Sequence, residues 1–96
     1  MSPDKKKKLS ILRKKLDNID NSLLKLIKKR TEIVKQVLAL KTFKYQIVDK
    51  KRIKSILNRI RKKSIIGNID TKITNRIWKN MILSYIDFER RKFKKK

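Results

Sequence analysis

The stretch LLKLIKKRTEIVKQVLALK, residues 23–41, reads as an amphipathic helix whose apolar seam is interrupted by an arginine. Positions 9, 12, 16, 19, 23, 26, 33, 37 and 40 are Leu, Leu, Leu, Ile, Leu, Leu, Ile, Val and Leu. Their alternating spacing of three and four is that of one helix face. It calls for another apolar side chain at position 30, where the residue is Arg30. An arginine at this place is a choice that the rest of the sequence has to explain.

Outward from this stretch, the seam runs without a glycine or proline from Ser2-Pro3-Asp4 to about Leu40. Ser2 is a good N-cap, Pro3 suits the first helical position, and Asp4 places an acid in the first turn. Thr42 to Val48, TFKYQIV, breaks the period with β-branched and aromatic residues and is read as an extended loop. Asp49 then caps a second helix with Ile53, Ile56, Leu57 and Ile60 on one face. Gly67-Asn68 stops it. Asp70 caps a third helix through Ile73, Ile77, Met81, Tyr85 and Phe88. The expectation is one all-α domain over residues 1–96, with lysine-rich ends at 1–8 and 92–96 that fray. One Gly, one Pro and no Cys in 96 residues agree with helices rather than a turn-rich β fold.

The first helix, at about 38 residues, is about 57 Å long, whereas a compact domain of this size has a radius of gyration near 13 Å. Helices of about 15 and 22 residues cannot cover such a seam. A second copy of the chain is the economical cover, so a homodimer with paired long helices is expected.

The formal charge of +23 raises the question of nucleic acid or anionic membrane. The lysines are spread along the whole chain, and the bias toward Lys, Ile and Asn reaches core and surface alike. That favours a composition-wide bias over a specific nucleic-acid site, with weak binding to polyanions at low salt. No apolar run approaches the roughly 18 residues that span a bilayer, and MSPDKKKK has no apolar core of a signal peptide. Without Cys or His, thiolate and imidazole metal sites are excluded. A cytoplasmic protein without a metal is expected.

Three cations lie on or beside the seam. Arg13 adjoins Leu12 and Lys41 adjoins Leu40, where long side chains snorkel from an interface. Arg30 lies on the seam itself. A buried arginine needs an acidic partner, such as Asp17, Asp20 or Glu32, or an anionic ligand for its guanidinium fork. A polar residue on such a seam also fixes register. Arg30 and Lys41 are eleven residues apart, about 16 Å along a helix, so leaning side chains could bracket a small dianion. Arg13, about 25 Å from Arg30, reaches that ligand only from the partner of an antiparallel dimer.

These residues resemble the all-α class of chorismate mutase. The resemblance rests on LRKKLDNIDNSLLKLIKKR (12–30), Lys41, DKKR (49–52) and IDTKITNRIWKNMILSYIDFE (69–89). It implies an intertwined homodimer of one long and two shorter helices per chain, acting on the dianion chorismate to give prephenate in aromatic amino-acid biosynthesis. It implies that Arg13 is lent to the partner's site, that Arg30 grips a substrate carboxylate, and that Lys41 contacts the ether oxygen and a carboxylate. Asp49 and Arg52 would hold the hydroxyl end and the ring. The chain departs from the family at three positions. Ile53 stands where many members have a glutamate that binds the ring hydroxyl. Tyr85 replaces a serine, and Glu89 replaces a glutamine that donates to the ether oxygen. A glutamate donates only when protonated, so its use there favours acidic pH. The sibling isochorismate-pyruvate lyase, which forms salicylate, shares the fold and is similar at Ile53 and Tyr85. The mutase is ahead of the lyase, and a basic nucleic-acid-binding helical protein, which has no use for Arg30 on the seam, comes third. The rearrangement is unimolecular and asks for no cofactor. It needs positioning of two carboxylates by arginines, with Lys41 and Glu89 as the catalytic donors to the breaking bond.

Overall fold

The computed structural model describes residues 1–95 and is all-helical, with no strand among them. Three α-helices follow in chain order: α1 (Pro3–Ala39), α2 (Lys50–Ile66) and α3 (Thr71–Lys92). The C-terminal end expected to fray includes Lys96, which lies outside the described residues. The chain divides into two compact units, Met1–Ile33 and the part from Val34 onward.

The first unit is one uninterrupted helix. It is helical from Pro3, through the lysine run, because its start is capped as read: the Ser2 Oγ accepts from the Lys5 N–H at 3.2 Å. Eight of the nine seam residues between positions 9 and 40 are exposed, from Val37 at 46% to Leu40 at 83%. An apolar stripe of that length is far more than one chain ordinarily leaves in water.

The second unit holds the core. The last turn of α1 buries Leu38 and closes with tighter i→i+3 bonds, Leu40 N–H to Val37 O and Lys41 N–H to Leu38 O, each 3.0 Å. The segment expected to be an extended loop contains a short 3-10 helix, Lys44–Ile47, packed on α3. The cause is Gln46, whose Oε1 accepts from both the Thr42 and Phe43 N–H at 2.8 Å. This folds the strand-like residues into a turn and drives Ile47 into the core.

Helix α2 starts as expected, with Asp49 Oδ1 accepting from the Arg52 N–H at 2.9 Å. Its face of Ile53, Ile56, Leu57 and Ile60 is buried or half-buried. It stops at Gly67 and Asn68, but Asn68, not the glycine, takes the left-handed conformation, at φ 54°. Gly67 favours a close approach instead, since a Cβ there would stand 3.2 Å from the Lys63 carbonyl oxygen, a tight contact. Asp70 caps α3 through the Lys72 N–H at 2.8 Å. The inward face of α3 keeps Met81, Tyr85 and Phe88, which are half-buried, but departs from the expected one over the first turns. Ile73 and Ile77 are exposed, while Thr74, Ile82 and Glu89 are buried. A hydroxyl pair explains the shift. Ser64 and Thr74 share a buried hydrogen bond of 2.8 Å between α2 and α3, and Ser64 also donates to the Ile60 carbonyl at 2.6 Å. Each buried hydroxyl is satisfied, which is the condition for tolerating it in a core.

Candidate active site

Lys41 is the second residue after α1 and closes its tightened end, and Glu89 lies in the last turn of α3. The Lys41 Nζ donates to the Glu89 Oε1 at 2.9 Å. Both side chains are largely withdrawn from water, Lys41 at 18% and Glu89 at 9% exposure. In such surroundings a charge pair interacts more strongly than at the surface. An acid this buried, on a helix face otherwise lined by Thr74, Met81, Ile82 and Tyr85, is costly without a partner, and Lys41 supplies one. The ammonium has three N–H groups, so the bond to Glu89 leaves others for an anionic ligand.

Lys41 also borders an open hollow together with Tyr45, Gln46, Val48 and Asp49. The structure therefore brings three expected site residues into one neighbourhood: Lys41, Glu89 and Asp49. Asp49 is exposed, and one carboxylate oxygen is engaged in capping α2. Arg52 follows it on the first turn of α2, exposed, with its backbone N–H held by that cap. Ile53 is half-buried on the apolar side of α2, as its place in the seam requires. Tyr85 is half-buried one helical turn before Glu89 and meets Phe88 edge to face at 6.4 Å between centroids.

The two long-helix arginines belong to the first unit. Arg30 is half-buried, while most of its neighbours on α1 are exposed. Arg13 is exposed and lines a shallow surface hollow of α1 with Leu9, Ser10 and Asp17. Two features escaped sequence reasoning. The pairing of Lys41 with Glu89 links residues 48 positions apart, beyond any periodicity signal. Gln46, which shapes the segment bordering the site, did leave a trace: a glutamine at the third position of a short helix is a capping residue type.

Comparison with known proteins assigns the family. Residues 12–90 match the family described as chorismate mutase type II. The chain belongs to that family. A chorismate mutase of Methanocaldococcus jannaschii is 41% identical over 76 residues, spanning 78% of this chain and 77% of that protein. No solved structure gives a significant match. The matched span of this type II chorismate mutase-family chain contains Arg13, Arg30, Lys41, Asp49, Arg52, Tyr85 and Glu89. No helix among the described residues is long and apolar enough to cross a membrane.

Proposed function

We propose that the protein is a chorismate mutase that rearranges chorismate to prephenate within a homodimer. Family membership supports the reaction, and the observation that carries the site is the buried contact of Lys41 with Glu89. The alternatives of a salicylate-forming lyase and a dedicated nucleic-acid binder gain nothing from the matched family and relative.

In the rearrangement one ether C–O bond breaks as one C–C bond forms, within a single molecule. The protein has to hold the substrate in its compact reactive conformer and to stabilise negative charge gathering on the ether oxygen. Arg30 is assigned to one carboxylate and the partner's Arg13 to the other. Lys41 donates to the ether oxygen through an N–H not committed to Glu89. Glu89 has two parts. As a carboxylate it orients Lys41, and when protonated it is a second donor to the ether oxygen. Asp49 and Arg52 hold the hydroxyl end and the ring.

The dimer is part of the proposal because the exposed α1 seam, from Leu12 to Leu40, needs a cover, and an identical helix is the simplest one. Incubating purified protein with chorismate and, separately, with isochorismate tests the assignment. Prephenate from chorismate is expected. Salicylate from isochorismate without prephenate from chorismate would overturn it.

A further inference from the structure

Helix α2 carries eight Lys and Arg residues and no acid in its 17 positions, although the chain has eight acids in all. Both other helices include acids: Asp4, Asp17, Asp20 and Glu32 in α1, Asp87 and Glu89 in α3. The second helix therefore has no acid of its own to pair with its cations.

The cations of α2 are also ordered. Lys51, Lys54, Arg59, Lys62 and Lys63 line one open groove together with Ser55 and Asn58, and all seven are exposed. Counted from Lys51, their offsets are three, four, seven, eight, eleven and twelve, the pattern of a single helix face. Ile53, Ile56, Leu57, Ile60 and Ser64 occupy the opposite face, which is buried or half-buried. The cationic strip is rigid and about 18 Å long. It excludes Arg52, assigned above to the substrate.

We infer that this outer face of α2 binds the phosphate backbone of duplex nucleic acid without reading its sequence. The strip has no aliphatic or aromatic residue. It therefore has nothing to insert into a bilayer and nothing on which to stack an unpaired base. It offers five cations, with the Ser55 hydroxyl and Asn58 amide between them, which is the donor set that positions a protein on phosphates. Five phosphate contacts give a slope of log affinity against log salt of at most about −4.5, or about a 500-fold loss between about 50 and 200 mM salt.

The test measures binding of a short mixed-sequence DNA duplex by fluorescence anisotropy as salt is varied. The strip variant carries Lys51→Gln, Lys54→Gln, Arg59→Gln, Lys62→Gln and Lys63→Gln. Glutamine matches lysine and arginine in helix propensity, so α2 is retained and circular dichroism checks it. A control variant loses the same charge from α1, through Lys5→Gln, Lys6→Gln, Lys7→Gln, Lys8→Gln and Lys15→Gln. The strip variant is expected to lose roughly tenfold or more in affinity and most of the salt slope, while the control stays within about twofold of the parent. Chorismate turnover is expected to be unchanged in both. Equal losses in the two variants would overturn the proposal, because the binding would then follow total charge. So would vesicles of anionic lipid binding the parent protein more tightly than the duplex does.

Discussion

Lys41 and Glu89 stand 48 positions apart in the chain and 2.9 Å apart in space, in a contact that water barely reaches. The contact joins the end of α1 to the end of α3. It also places a cation held by a buried acid beside a hollow that Asp49 shares. Lys41→Met keeps an unbranched apolar stem, one atom shorter, and strands Glu89. Loss of a charged donor to the transition state is expected to lower kcat by about 10²–10³. Leaving a buried carboxylate without its cation is expected to cost about 3–5 kcal/mol of stability in urea unfolding. Activity within twofold of the parent protein would remove Lys41 from the site.

Glu89→Gln separates the two parts given to this residue. Glutamine both accepts from Lys41 and donates to an ether oxygen at every pH, whereas glutamate donates only in its protonated form. If donation matters, the parent protein's kcat rises as pH falls, because the donor form becomes more populated. The Glu89→Gln variant is then expected to be flat over the same range and at least as active at neutral pH. A parallel pH profile in the two proteins would limit Glu89 to orienting Lys41.

Asp49 holds a structural post and a proposed functional one, and two variants divide them. Asp49→Ala removes the N-cap of α2 and is expected to cost about 1 kcal/mol. Asp49→Ser retains a capping oxygen, so stability is expected to return while the longer carboxylate is still missing. If Asp49 also holds the hydroxyl end of the substrate, KM stays raised in Asp49→Ser. A KM restored together with stability would leave Asp49 with capping alone.

The positions of the helices were legible because their ends are chemically marked. Ser2-Pro3, Asp49, Gly67-Asn68 and Asp70 each do at the backbone what their residue types favour, to within a residue or two. The cations proposed to face the substrate stand out in the sequence because each disturbs or flanks an apolar seam. What stayed hidden depends on contacts between distant residues or on one side chain folding a short segment. The 3-10 turn at Lys44–Ile47 follows from Gln46, against the strand preference of its neighbours. The inward face of α3 follows Thr74 rather than Ile73 and Ile77, because Ser64 waits on α2 to pair with its hydroxyl. Hydropathy ranks those isoleucines above that threonine and so misplaces the inward face of this chain over the first turns of α3, while Met81, Tyr85 and Phe88 are half-buried as expected.

That hydroxyl pair makes its own prediction. Ser64→Ala leaves the Thr74 hydroxyl buried without its strongest partner and is expected to cost about 1–2 kcal/mol. Thr74→Val is expected to cost a similar amount. The double variant leaves neither hydroxyl stranded, so its loss is expected to fall below the sum of the two. A double-mutant cycle by urea unfolding measures the difference. Simple additivity would show that the pair contributes no coupling.

A shared site predicts complementation. Arg13→Ala and Lys41→Ala homodimers are each expected to be nearly inactive. When the two are unfolded together and refolded, half of the dimers are mixed, and each mixed dimer has one site with both residues intact. About a quarter of the parent activity is expected to return, by simple counting over a symmetric dimer. No recovery, with mixed dimers verified by mass spectrometry, would mean that Arg13 is not lent across the interface.

The most direct test of the central claim is the initial rate of prephenate formation from chorismate, measured on the parent protein and on Lys41→Ala. The parent protein is expected to form prephenate, and Lys41→Ala is expected to lose at least about 10²-fold while its helical content is unchanged. Absence of prephenate from the parent protein across about pH 5 to 8, or equal rates in the two proteins, would contradict the account.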